Sequence, residues 1–284
     1  MKKDKFTKNS AQIEAIAKRL YFYSSMELRT LFKTIKEDKK LIPLSYSFDS
    51  FYKRLIEMGL KEFTLSMSSE YLTKYSFEKE IDIYELARSF KKNSFFSMST
   101  SLNLQGYSNY RNNFIFISSE LSEKVKHDDS ELTQEAIDKA FAKPYRRTHS
   151  VGKYEDKNIV FLNPKYTKNF AVIEKKYPIS SINRAFVEMI INVQYFRNSL
   201  EIIDTFIPLK EKLNIDEIFD IVEEFDLIYP YFQCVGYYLE QIGFTKDELT
   251  DFKSEVSELK FYTDKNQDIY KYDDFWKMFY LSKV

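Results

Sequence analysis

The chain has 284 residues, of which 44% are hydrophobic and 17% aromatic, and its 43 Lys/Arg balance 43 Asp/Glu. That apolar content excludes disorder on compositional grounds, and the length suits two domains of roughly 100–150 residues. One cysteine (Cys234) and two histidines (His127, His149) exclude an intrachain disulfide and a zinc cage of the usual nitrogen and sulfur ligands.

In chain order, Ile13, Ile16, Ala17, Leu20 and Tyr21 recur at helical spacing. Ser24-Ser25-Met26-Glu27 offers a capping-box start to a second helix, whose apolar stripe is Leu28, Leu31, Phe32 and Ile35. Pro43 marks a break. Ser47-Phe48-Asp49-Ser50 opens a third helix through Phe51, Leu55, Ile56 and Met58, with Gly59 at its C-terminal cap. Residues 61–67 and 70–75 then alternate as two short strands would. Three helices followed by a hairpin is the layout of a winged helix-turn-helix, with the third helix as the recognition helix. On that helix Ser50, Lys53, Arg54 and Glu57 fall away from the apolar stripe, and Tyr46 and Ser47 stand at its N-terminal end. Basic and hydroxyl side chains there can meet phosphates and base edges. The alternative is a small helical subdomain with a polar outer face.

A second domain is expected from residue 81. Helices are predicted over 82–90 and 97–105, and a strand over 113–118. A polar stretch over 119–143 follows, with a helix over 132–141. A hairpin is predicted from 145–151 and 158–162, and another strand over 170–174. Ser180 and Ser181 can cap a helix through Phe186 and Ile190. The tail over 200–243 is helical by periodicity, with Leu213, Ile215, Ile218, Ile221 and Val222 on one face and Tyr231, Val235, Tyr238, Leu239 and Ile242 on another. Strands over 259–263 and 275–281 close the chain. The expected fold is α+β: a winged helix-turn-helix over residues 1–80, then a larger mixed α/β C-terminal domain over 81–284 with a helical tail.

The zero net charge is a sum of opposites. Residues 1–76 hold 15 Lys/Arg against 9 Asp/Glu, whereas residues 201–284 hold 9 against 19. Such asymmetry fits one end that meets a polyanion and another that does not, or two ordinary solvated surfaces. No G-x-G, G-K-S/T, G-x-S-x-G or H-E-x-x-H pattern is present. His149, on a predicted strand, has no nucleophile tied to it by a motif and reads as a surface or structural histidine. Asp216, Asp220, Glu223 and Glu224 share one side of a helix and read as its solvated face. Cys234, among aromatic residues, reads as core. The polar start, Met1-Lys2-Lys3-Asp4-Lys5, lacks a signal-peptide core, and the most apolar stretch, residues 185–193, is far short of the about 20 residues needed to span a bilayer. A soluble, cytoplasmic protein without membrane contact, catalytic residues, cofactor or metal is expected.

Several phrases, in matching order, resemble the AbiEi family of antitoxins. They are Ser94-Phe95-Phe96-Ser97-Met98-Ser99-Thr100-Ser101-Leu102-Asn103-Leu104-Gln105-Gly106 with the strand Phe114-Ile115-Phe116-Ile117, and the helix from Ser181 to Ile190. The third is Leu227-Ile228-Tyr229-Pro230-Tyr231-Phe232-Gln233-Cys234-Val235-Gly236-Tyr237-Tyr238-Leu239-Glu240. The resemblance spans roughly residues 20–280. It implies an N-terminal winged helix that binds inverted repeats in its own promoter and represses the operon. It also implies a C-terminal domain needed to counter a nucleotidyltransferase-like toxin in abortive infection against phage, without necessary direct contact. The sequence departs from the family in a hairpin tip without glycine, Ser66-Met67-Ser68-Ser69, and in Asn183, Glu188 and Phe232.

The candidate DNA contacts are Lys18, Arg19, Arg29, Lys33, Ser47, Ser50, Lys53, Arg54 and Lys74, mostly to phosphates, with Arg146, Arg147 and Arg184 added from the C-terminal domain. The expected partners are double-stranded DNA and, functionally, the toxin. The alternative is a protein-binding module whose acidic C-terminal helices neutralise a basic partner without DNA binding. A third reading is an enzyme in which His149 meets a nucleophile or a carboxylate pair.

Overall fold

A computed structural model describes residues 4–107, 113–123 and 132–282. His127, part of the polar stretch and the first three residues therefore lie outside the described residues. The fold is mixed α/β. Helices α1 (Lys5–Lys8), α2 (Ser10–Ala17), α3 (Ser25–Lys33) and α4 (Phe48–Glu57) precede strands β1 (Lys61–Ser66) and β2 (Tyr71–Ser76) and helix α5 (Ile83–Ser89). Next come β3 (Phe95–Phe96), α6 (Met98–Leu104), β4 (Phe114–Ser118), α7 (Gln134–Phe141), β5 (Val151–Tyr154) and β6 (Lys157–Leu162). Strands β7 (Val172–Glu174) and β8 (Pro178–Ser180) lead into α8 (Ile182–Ile191), α9 (Ser199–Phe206), α10 (Ile215–Phe225), α11 (Tyr231–Ile242) and α12 (Thr250–Ser254). Strands β9 (Phe261–Tyr262), β10 (Lys271–Asp273) and β11 (Met278–Tyr280) form a separate small sheet, ordered β10-β11-β9. The chain divides into two compact units, residues 1–92 with 151–159, and residues 93–150 with 160–284.

In the first unit, the spacing of Ile13, Ala17, Leu28, Leu31, Ile35, Phe51 and Leu55 turns one stripe of each helix onto a shared core. Phe6 of α1, which the periodicity did not single out, joins it. The capping box forms as its spacing requires: the Ser24 hydroxyl accepts from the Glu27 N–H at 3.2 Å, and the Glu27 carboxylate accepts from the Ser24 N–H at 2.7 Å. After Lys33 the helix widens into a π-turn, Thr34–Asp38, with the Lys39 N–H donating to the Thr34 carbonyl at 2.9 Å. Strands β1 and β2 pair antiparallel from Lys61↔Ser76 to Ser66↔Tyr71. Tyr23, between α2 and α3, makes an antiparallel bridge to Tyr75 of β2, with hydrogen bonds of 2.8 and 2.9 Å. The free edge of β1 is covered by β5, which pairs at Ser66↔Lys153. Gly152 permits that approach, since a Cβ there would lie 2.9 Å from the Met67 sulfur.

In the second unit, β4-β3-β8-β7 run in that order, with the end of β6 beside β4. The sheet is mixed: β3 pairs parallel with β8 at Phe96↔Ile179 and antiparallel with β4. Helix α8 is buried on nearly all sides because its residues from Ile182 to Ile190 are enclosed by neighbouring elements. Asp216, Asp220, Glu223 and Glu224 of α10 are exposed, while Ile218, Ile221, Val222 and Phe225 are buried, as its amphipathic spacing requires. Helix α11 carries Gly236 where the Trp276 ring comes closest; an added Cβ would sit 2.3 Å from that ring, so only glycine fits. One expected strand falls differently. Residues 145–150 form an irregular segment, and the hairpin pairs β5 with β6 instead, which leaves His149 exposed in a loop. The helical tail is broken at 213–214 and again at 226–230, where Asp226 takes a left-handed conformation (φ 43°).

Candidate nucleic-acid interface

Helix α4 starts at Ser47, whose hydroxyl accepts from the Ser50 N–H at 3.1 Å and donates to the Ser50 hydroxyl at 2.9 Å. With Phe51 and Leu55 anchored in the core, Ser50, Lys53 and Glu57 recur three to four residues apart on the outer side and are exposed. The guanidinium of Arg29, on α3, lies 4.5 Å over the Phe48 ring and so stands beside the first turn of α4. Phe32 packs on both Phe48 (5.7 Å) and Phe51 (5.3 Å). The Lys36 ammonium donates to the Tyr46 carbonyl at 3.0 Å, which pins the turn between the two helices. Lys33 is one helical turn beyond Arg29. Lys33 and Lys53 are exposed, without a carboxylate in ion-pair range among the described residues. Arg29, Lys33, Ser47, Ser50 and Lys53 are thus all exposed on α3, on α4 or at the α4 N-cap, and the exposed carboxylates of Asp49 and Glu57 also lie on α4.

Other predicted contacts sit elsewhere. Lys18, at the end of α2, is paired with Glu14 at 2.6 Å, and Arg19 follows it on the exposed surface. Arg54 bridges Asp4 at 2.8 Å and Glu57 at 2.9 Å, with its guanidinium 5.6 Å from the Phe6 ring. Its charge is therefore compensated twice, and it joins α1 to α4. Lys74 is half-buried because its register partner across the hairpin is Phe63, a core residue, so both side chains take the inner face. Its ammonium lies 5.8 Å from the Phe90 ring, and burial lowers its pKa against the opposing pull of Glu27. A phosphate contact from Lys74 does not fit that orientation. The hairpin tip, closed by Met67 N–H to the Glu70 carbonyl at 2.9 Å, carries no basic side chain.

In the second unit, Arg146 is exposed, and Arg147 donates through Nε to the Gln194 carbonyl at 2.6 Å. Lys265 has its pKa lowered by burial first and then by Arg146 and Lys143, so these three cations crowd one another. Lys36, Lys143 and Lys265 were not singled out by sequence; their signal is only the excess of Lys in each segment. Arg184 is the clear correction. It is 0% exposed, and its Nε meets Glu188 at 2.8 Å while Nη2 meets Glu120 at 3.1 Å. Nη1 donates to the Thr167 hydroxyl at 3.2 Å and to the Phe170 carbonyl, and the guanidinium lies 4.7 Å from Phe95 and 5.2 Å from Phe225. Every donor is turned inward, so Arg184 cannot reach a phosphate. Glu120 is held below the usual carboxylate range, although burial opposes this, by hydrogen bonds from the Thr167 hydroxyl, the Thr167 and Asn169 N–H groups and Arg184. The signal for this cluster was present in sequence as Arg184 and Glu188, four residues apart in an otherwise apolar helix.

No family description matches the chain, and no curated protein matches it. Among solved structures, it is similar to the crystal structure of the Rv2827c protein from Mycobacterium tuberculosis, with a TM-score of 0.56 and 11% identity. The match covers 96% of this chain and 91% of that one, and the likeness is one of fold.

Proposed function

We propose that the chain is a DNA-binding autorepressor serving as the antitoxin of a toxin–antitoxin operon, with residues 1–80 as a winged helix-turn-helix and α4 as its recognition helix. The observation that carries this reading is the Tyr23↔Tyr75 bridge beneath α2, α3, α4 and the β1–β2 hairpin. It ties the segment between the first two helices to the second strand of the hairpin, which supports reading the hairpin as a wing. The exposed cations Arg29, Lys33 and Lys53 are placed to neutralise phosphates, with Ser47 and Ser50 at the helix start to reach base edges or backbone oxygens. Arg54 acts by positioning α4 against α1. The antitoxin role rests on the AbiEi-like phrases, and implies an inverted-repeat operator, two copies of the chain on DNA and a nucleotidyltransferase-like toxin as functional partner.

The test is fluorescence anisotropy of the purified chain on duplexes from the DNA upstream of its gene, over a range of salt. Binding should weaken steeply with salt, and each of Arg29→Ala, Lys33→Ala and Lys53→Ala should flatten the log–log slope by about 0.9 if it removes one phosphate contact. An absence of binding at low salt overturns the reading. A second reading, a protein-binding module, is favoured by the exposed carboxylates Asp216, Asp220, Glu223 and Glu224 on α10. Co-purification with the neighbouring gene product, without DNA binding, would select it.

A further inference from the structure

We propose that a cavity in the second unit, between the starts of α6 and the ends of β4, α8 and α10, binds a neutral aromatic molecule of phenol to indole size. The cavity measures about 200 Å³, and its apolar walls are Met98, Leu162, Pro164, Ile191, Phe225 and Leu227, with Asn163, Thr167 and Asn192 also on its lining. An apolar cavity of about 150 Å³ takes a benzene ring, so this volume accommodates one ring with a substituent or a fused pair. Apolar walls with a few convergent polar groups are the usual make-up of a small-molecule site.

The polar end is a pair of buried hydroxyls. Ser97 Oγ and Ser118 Oγ lie 2.8 Å apart, and both residues are at most 2% exposed. One hydroxyl proton serves the bond between them. The second proton and the remaining lone pairs are available to a hydroxyl or ring N–H of a ligand.

The charges around the cavity disfavour an anion, and its apolar walls disfavour burying a free cation. Glu188 lines the cavity, but its carboxylate already accepts from the Met98 N–H at 3.1 Å, the Ser180 hydroxyl at 2.8 Å and Arg184 Nε at 2.8 Å. Arg184 is shared with Glu120, so two carboxylates divide one guanidinium and the surroundings disfavour an anion. Lys165, which lines the cavity, is held by the Asp226 carboxylate at 2.6 Å and the Asp226 carbonyl at 2.9 Å.

The backbone gives an independent pointer. Met98 is a buried, non-glycine residue in the left-handed region (φ 50°), fixed there by its N–H bond to Glu188. Strained positions of this kind gather where a wall must be held in place for a ligand. The inference does not depend on DNA binding by the first unit.

The experiment uses the full chain with phenol, indole and benzoate, read by saturation-transfer NMR and by thermal unfolding. Phenol and indole should show transfer and raise Tm with concentration, and benzoate should do neither. Leu227→Trp fills the mouth and should abolish both effects. Ser118→Ala, which leaves the apolar walls intact, should weaken phenol binding about fivefold, the loss of one net hydrogen bond. If Leu227→Trp does not fold, Ser118→Ala decides. No transfer from phenol or indole at millimolar concentration, binding unchanged by the substitutions, or benzoate binding as tightly as phenol would each overturn the proposal.

Discussion

Arg29 in the first unit and Arg184 in the second are handled in opposite ways. In the first unit, Arg29 rests on the face of Phe48 and is exposed, and Lys33 and Lys53 have no carboxylate in ion-pair range among the described residues. In the second, Arg184 is enclosed between two phenylalanine rings and two carboxylates, with no exposed surface. The same side chain is a tool for meeting an outside anion in one place and a keystone in the other. Desolvation decides which: a cation left in water keeps its capacity for a new partner, whereas a buried one is tolerated only when every donor is already engaged.

The largest effect should come from opening the buried cluster. Arg184→Leu leaves Glu120 and Glu188 buried without their shared cation, and should cost about 3–5 kcal/mol in urea unfolding. A loss below about 1 kcal/mol would show that the cluster is not the keystone described here.

A smaller effect should appear in acid. The folded-state pKa of Glu120 is depressed from an ordinary value of 4.5. Its contribution is therefore complete above the unfolded carboxylate pKa and is lost as pH falls through the lower folded value. Unfolding midpoints measured at stepped pH should fall less steeply on acidification in Glu120→Gln than in the natural chain. Equal slopes would remove Glu120 from the account. The smallest effect is expected at the open cations: Lys33→Ala and Lys53→Ala should each leave stability within about 0.5 kcal/mol while changing the salt dependence of DNA binding. A larger loss of stability would mean that they, too, are part of the internal framework.

Features set by neighbours along the chain were legible in the sequence. The Ser24/Glu27 cap, the start of α4 at Ser47 and the two faces of α10 each depend on residues within one or two turns. Features set by distant partners were not. Arg184 carries a local hint in Glu188 four residues on, but its burial is decided by Glu120 and Thr167, brought in by other elements, whereas Arg146 stays exposed. Lys74 is a similar case: alternation places it on one face of a strand, but only the pairing with Phe63 decides that the face is the inner one. The same limit explains β3, β8 and β10, which are two or three residues long and exist through pairing. For the proposed interface, sequence supplied the residue types on α3 and α4, and the Arg29–Phe48 and Lys36–Tyr46 contacts supplied their assembly.

The π-turn at Thr34–Asp38 has a consequence for how such chains can vary in length. A π-turn holds one residue more than an α-turn would over the same stretch, and it lies between the anchored faces of α3 and the start of α4. It can absorb an inserted or deleted residue without rotating Leu28 and Leu31 out of the core, because the change in phase falls after them. The cost would be borne downstream, where one residue corresponds to about 100° of helical rotation, and would re-aim Lys36 away from the Tyr46 carbonyl. A single-residue length change there would thus alter the angle between the two helices while leaving each of them intact.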